Sequence, residues 1–273
     1  MIAWLLEPLQ YQYMQKALLA ASVIGGVCAL LSVYLMLKGW SLVGDALSHA
    51  VVPGVAAAYA LALPYAVGAF FAGTLAMFAM LALRRLPMLR QDAVIGVVFT
   101  TFFAAGLLLI SLNPTAVNLD AVIYGQILAI ADRDLAQMLL IAALTLAVLA
   151  LQWKSFMLLF FDEVQARIGG LPVRRLQGLF FALVSLAVVA ALQAVGAILV
   201  IALLIAPGAT AFLLAQRFGQ VLLIALAIGT TSSIAGVYLS YHLDLIPGAM
   251  IVLLQSALFL ATFLHNHWRK ARA

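Results

Sequence analysis

The chain has 273 residues, 67% of them hydrophobic and 8% charged, with a mean hydropathy of +1.20 and a formal charge of +5. Soluble domains are roughly half apolar and about a quarter charged, so this composition excludes a soluble enzyme or nucleic-acid-binding module and defines an all-α, polytopic membrane protein. Its long apolar runs are not the short alternating segments of a β-barrel, and its single cysteine, Cys28, excludes both an intrachain disulfide and a cysteine metal cluster.

The first residues, "MIAWLLEPLQYQYMQKA", lack a basic residue before Lys16 and are interrupted by Glu7-Pro8. They do not have the pattern of a secretory signal. Trp4, Tyr11 and Tyr13 suit a segment lying at the membrane interface. From there the hydropathy predicts spans at 17–37, 44–62, 64–83, 93–111, 135–152, 176–195, 197–215, 219–240 and 246–264, each near the ~20 residues that cross the hydrocarbon. The apolar run 178–218 reads either as two spans or as one span and a broken half-helix. Eight or nine transmembrane helices are therefore expected, in one transmembrane domain over 1–273.

Nine alternating spans put Lys38, Arg84, Arg85, Arg90, Lys154, Arg167, Arg174, Arg175, Arg217, Arg269, Lys270 and Arg272 on one side. Only Lys16 and Arg133 remain on the other. The side rich in Lys and Arg is cytoplasmic, which predicts a multi-pass membrane protein with its first residues outside. The long outer loop 112–134, with Asp120, Asp132 and Asp134, is either an interfacial helix or a docking surface for an extracellular partner.

Within the second span, "GWSLVGDALSHAVVPGVAAAYA" (39–60) carries Asp45 and His49. Spaced i, i+4, they share one helix face. An ionisable group in the hydrocarbon costs about 3 kcal/mol or more, so the pair faces a cavity, a partner or each other. A carboxylate and an imidazole suit Mn²⁺, Fe²⁺ and Zn²⁺, and two ligands hold an ion loosely enough to release it. A hydrogen-bonded pair joining helices fits the spacing equally well. The Pro-Gly step that follows, in "VVPGVAAAYA" (51–60), is echoed in "IAPGATAFLL" (205–214), and a third stands at 247–248. Paired breaks of this kind mark transport sites; they also mark ordinary helix ends and kinks.

Toward the C-terminal half, "FDEVQARIGGLPVRRLQG" (161–178) is the concentrated charge run between spans. Asp162 and Glu163 suit a helix start, and Gly169 and Gly170 its end. A short charged helix with Arg167, lying along the membrane, is what a permease offers a soluble motor; an ordinary basic loop is the alternative. His242 and Asp244, in "HLD", are candidates for an outer entrance or belong to a solvated loop. His265 and His267 flank the basic tail. No G-x-x-x-x-G-K-[ST], H-E-x-x-H or G-x-S-x-G motif occurs, so the chain has no P-loop for ATP and no readable catalytic set.

These residues together resemble the integral-membrane permease subunits of the bacterial ABC importers for manganese, iron and zinc. The resemblance covers nearly the whole length and is carried by "KGWSLVGDALSHAVVPGVA" (38–56), "LQAVGAILVIALLIAPGATAFLL" (192–214) and "SYHLDLIPGAMIVLLQ" (240–255). The wording is closest to the chelated-iron and manganese branch.

The resemblance implies a pathway formed by two permease copies, a cytoplasmic ATP-binding subunit and an extracytoplasmic metal-binding protein. It implies Asp45 and His49 as pathway ligands for Mn²⁺ or Fe²⁺, with Zn²⁺ as the alternative cargo. It also implies a coupling region at 162–175 (Asp162, Glu163, Arg167, Gly169 and Gly170). No covalent cofactor is implied, and ATP is expected only on the partner subunit. An ATP-independent carrier or channel is the competing class; it predicts transport by this chain alone.

Overall fold

The computed structural model describes residues 7–83, 90–112, 125 and 127–272. Trp4, Arg84, Arg85 and Asp120 lie outside the described residues, as does most of the loop 112–134. Eleven α-helices and no strand occur among the described residues. They are α1 (Gln12–Leu37), α2 (Val43–Ala50), α3 (Val52–Ala60), α4 (Tyr65–Leu83), α5 (Gln91–Leu112), α6 (Asp132–Phe161), α7 (Glu163–Ile168), α8 (Val173–Val195), α9 (Ala197–Leu214), α10 (Phe218–Leu243) and α11 (Pro247–Arg272).

Seven of these helices are long and apolar enough to cross a membrane: α1, α4, α5, α6, α8, α10 and α11. Shorter, at 18 residues, α9 makes another pass. The expected span 44–62 is not one helix but two, α2 and α3, which cross end to end. The run 178–218 resolves into two passes, α8 and α9, meeting at Gly196. Its φ of +79° is a conformation that glycine adopts freely and that turns the chain sharply. With α7 lying between α6 and α8, and the α2–α3 pair and α9 counted as passes, this gives nine among the described residues.

Helices in lipid gain little from apolar burial against one another, so close contact must come from small side chains. Two crossings show it. On α1, Gly25 and Ala29 lie against Gly229 and Ser233 of α10. On α3, Gly54 and Ala58 lie against Gly68 and Ala72 of α4. Each is a small-xxx-small pair meeting another, and in both the glycine backbones touch. α1 is the buried centre, packed by α10, α9, α6 and α8. At its inner end the buried Tyr34 ring is surrounded by Phe156, Phe160, Phe180 and Phe218, with centroids 5.3–6.2 Å away.

The ends of the passes sort by charge. Lys16 at the start of α1 pairs with Asp132 at the start of α6. Lys38, just past the end of α1, reaches Glu163 on α7 at 3.7 Å. The Lys38 end carries most of the Lys and Arg and is therefore cytoplasmic. Arg174 and Arg175 fall in the first turn of α8, where the helix dipole disfavours a cation. Their position there shows membrane sidedness overriding the dipole.

The three Pro-Gly steps are not equivalent. Pro53 lies in the first turn of α3, where the chain breaks. Pro207 sits inside the continuous α9. Pro247 opens α11. The glycines after the first two serve close packing: Gly54 on Gly68, and Gly208 on Ser32 of α1.

Candidate functional site

Asp45 and His49 lie on α2, and its position sets their depth. Gly44 packs on Leu204, within α9, with a Cβ position only 3.0 Å from the Leu204 side chain. Val51, at the far end of α2, is packed beside Gly73 in the middle of α4. The His49 ring lies against Phe99 and Phe103 in the middle of α5, with centroids 5.4 and 5.5 Å away. All these partners are interior positions of α9, α4 and α5, so the pair sits at mid-depth in the bundle rather than at its ends.

The two side chains face each other. His49 Nε2 is 3.6 Å from Asp45 Oδ1. That is too long for a hydrogen bond, and it counts against a simple hydrogen-bonded pair joining helices. Two donors, each about 2.1 Å from one shared ion, stand roughly 3–3.5 Å apart, so a slight closure suffices to hold a metal between them. The Asp45 side chain remains 44% exposed and that of His49 35%. The rest of that turn is tied down: Ser48 Oγ donates to the Gly44 carbonyl at 2.9 Å, and Ala46 and Leu47 are buried.

The break after α2 adds to the site. Proline has no N–H to give the carbonyl four residues earlier, and for Pro53 that carbonyl belongs to His49. The Val51 N–H, shared with the Leu47 carbonyl, turns toward it. Among the described residues no group of three or more His, Cys, Asp or Glu side chains could enclose an ion. At this point the described residues offer two side-chain ligands.

The cytoplasmic elements are built as the charges predicted. Asp162 caps α7, its Oδ1 accepting from Val164 N at 2.9 Å and Gln165 N at 3.0 Å. Glu163 lies 3.3 Å from Arg167 and 3.7 Å from Lys38, which ties α7 to the end of α1. Gly169 ends the helix, and Gly170 turns the chain at φ +79°. Ala166 is fully buried, whereas Phe161, Val164 and Ile168 are 68–82% exposed. Sequence reasoning named the charged residues here and missed these apolar ones. The i, i+4 spacing of Val164 and Ile168 was the available signal.

At the outer end, His242 and Asp244 line a cavity of about 500 Å³ with Tyr13, Met14, Leu128, Ser240, Tyr241 and Leu245. The His242 ring also packs edge-on against Tyr238 and Tyr241, at 4.9 and 5.3 Å. Asp244 itself is exposed, in the short connection between α10 and α11. The structure does not bring His242 and Asp244 to Asp45 and His49: the former lie at the last turn and C-cap of α10, and the latter at mid-depth.

A bundle of nine passes, with an ionisable pair open at mid-depth and a capped amphipathic helix on the cytoplasmic side, defines a multi-pass membrane transport subunit. The chain belongs to the ABC 3 transport family, whose model matches residues 10–266. It is 56% identical over 263 residues to the chelated iron transport system membrane protein YfeC of Yersinia pestis, covering 96% of this chain and 90% of that one. It is 42% identical over 275 residues to the manganese transport system membrane protein MntB of Synechocystis sp., covering 98% and 90%. The fold is similar to PsaBC from Streptococcus pneumoniae, solved in complex with Fab, with a TM-score of 0.86 and 34% identity over 96% of this chain and 95% of that one. The protein is thus the inner-membrane permease subunit of an ABC transport system, and ATP hydrolysis belongs to a separate subunit.

Proposed function

We propose that two copies of this permease form an import pathway for Mn²⁺ or Fe²⁺, with Asp45 and His49 as its mid-depth waypoint. The observation that carries this reading is the exposed Asp45–His49 pair at 3.6 Å. A carboxylate left facing lipid at that depth is strongly unfavourable. A second copy placed against the same face removes it from lipid and doubles the ligand set. Two side chains from each copy can complete a coordination sphere without making a permanent cage, as a site that must release its ion requires. The cargo is drawn from the iron and manganese systems named for the relatives.

Loaded binding protein docks outside, and ATP binding on the cytoplasmic subunit moves α7 and the passes joined to it. The apolar knobs Phe161, Val164 and Ile168 seat in that subunit, while Asp162, Glu163, Arg167, Gly169 and Gly170 hold α7 in shape. An Ile168→Asp permease should assemble in the membrane but lose ATPase coupling: metal uptake falls about tenfold or more, as removal of a central apolar anchor implies. Uptake at the wild-type level would exclude Ile168 from the docking surface.

The direct functional test is uptake into proteoliposomes. Permease, ATPase and binding protein together should accumulate Mn²⁺ with ATP, with Fe²⁺ competing better than Zn²⁺. Permease alone should accumulate none. Accumulation by the permease alone would make it an ATP-independent carrier.

A further inference from the structure

We propose that Phe99 and Phe103 are positioning residues for the transported metal: two rings on α5 that hold the His49 imidazole in the orientation in which it binds the ion. This role rests on the reading of Asp45 and His49 as ligands and adds to it what keeps the imidazole in place.

The torsion that turns an imidazole about its Cβ–Cγ bond is broad, so a histidine ligand needs something to fix its ring plane. Metal-ligating histidines usually gain this from a hydrogen bond between the second ring nitrogen and a carboxylate, a carbonyl or water. Among the described residues no such partner stands beside His49. Its polar contact is Asp45 Oδ1, 3.6 Å from Nε2, which is the ligand partner itself. Ser48, next along the helix, is directed to the Gly44 carbonyl. The imidazole is bounded instead by two aromatic rings. Phe99 stands with its centroid 5.4 Å away and its plane at 55°, and Phe103 at 5.5 Å and 76°. Both separations lie in the range of tilted and edge-to-face aromatic pairs. The two phenyl rings are themselves stacked, 6.1 Å apart and 23° from parallel. They act as one surface, and the imidazole cannot turn without giving up one of its two contacts.

The backbone sets that surface at the height of His49. Phe99 and Phe103, spaced i, i+4, share one face of α5, the helix that packs on both α2 and α3. Further along α5, Gly106 meets the break between those two helices. A Cβ there would lie 2.7 Å from Val52 Cγ1 and 2.8 Å from the Pro53 nitrogen. The close approach falls just past His49, and the two rings stand in the turns of α5 before it. The buried packing of this helix is carried by Val94, Ile95 and Val98, whereas Phe99 and Phe103 are only partly buried. Phe102, also partly buried, packs against the core instead. A preset imidazole has little freedom left to lose when the ion arrives, which favours binding. It also keeps its orientation when the ion leaves, so each passage meets the same site.

Manganese titration by electron paramagnetic resonance, with spin-echo modulation read on the same samples, tests this in the purified permease–ATPase complex in nanodiscs, with His242→Gln throughout. Phe99→Leu/Phe103→Leu removes both flat faces and keeps apolar bulk. It should weaken Mn²⁺ binding by about tenfold, the lower end of what a ligand-orienting neighbour controls, and should weaken the nitrogen coupling from the imidazole. Phe102→Leu makes the same exchange on the same helix away from His49, and its Mn²⁺ affinity and nitrogen coupling should match those of the parent complex. Phe103→Leu alone spares Phe99, which also packs against the core; it should show the same loss in smaller measure and keeps the comparison readable if the double variant fails to assemble. Unchanged affinity and coupling in the Phe99 and Phe103 variants, or an equal loss in Phe102→Leu, would overturn the proposal, because a purely structural part for the rings predicts one or the other. His49→Gln separates this result from the ligand reading. If it leaves Mn²⁺ binding and coupling unchanged, the ligand reading fails and the positioning role with it. If it abolishes the coupling while the leucine variants keep theirs, His49 stands as a ligand and only the positioning role falls.

Discussion

Replacing either Asp45 or His49 with alanine should lower ATP-driven metal uptake by about 100-fold or more, while the complex assembles at the wild-type level. Even residues that only orient a metal ligand change affinity or activity by roughly 10–100-fold, and here a ligand itself is removed. The complex should survive because most of the packing of α2 rests on other residues. Leu47 and Ala46 are buried, Gly44 rests on Leu204, and both ionisable side chains stay partly exposed. Removing Asp45 also removes an ionisable group from the hydrocarbon, so the variants should be no less stable than wild type. A variant that assembles but fails to transport separates the pathway role from a structural one. Normal uptake by both would remove the pair from the pathway.

The second large effect is expected at Gly54. A Cβ there would overlap the Gly68 carbonyl on α4 and stand 2.6 Å from the Ala72 methyl. The obstacle is backbone and cannot rotate away, so α3 and α4 must separate. Forced overpacking costs about 1–3 kcal/mol, occasionally more. Gly54→Ala should therefore lower the melting temperature of the purified complex by several degrees. It should also reduce uptake, because α3 begins at the break that follows His49. Gly178→Ala is the control. Its Cβ would meet only Phe78, at 3.8 Å, an ordinary contact on α8. Alanine is the better helix former by about 1 kcal/mol, so this variant should melt at or above the wild-type temperature. Equal melting of the two variants would refute the close α3–α4 contact.

The passes were legible in the sequence because each long apolar run states its own length. The Lys and Arg bias then fixed their direction, and the Lys38–Glu163 and Lys16–Asp132 pairs fall at opposite ends as that direction requires. Local chemistry was also legible: Asp162 caps α7 and Gly169 ends it. The break inside 44–62 was harder. Pro53 announced it, yet the hydropathy across the break is continuous, so the segment read as a single span.

Two parts of the site were not legible because they depend on contacts remote in sequence. The mid-depth position of Asp45 and His49 comes from Leu204, Phe99 and Phe103. The outer cavity joins Tyr13 and Met14 to residues 240–245 through the packing of α1 on α10. The spacing of His242 and Asp244 marked them as ligand types.

The central claim is that a metal ion is held at His49 during transport. Electron spin-echo modulation of Mn²⁺ in the purified permease–ATPase complex, prepared with His242→Gln to silence the outer imidazole, reads it directly. The bound Mn²⁺ should show nitrogen coupling from an imidazole ligand, and His49→Gln in the same background should abolish it. Nitrogen coupling that persists without His49, or bound Mn²⁺ that shows none with His49 present, would contradict the account.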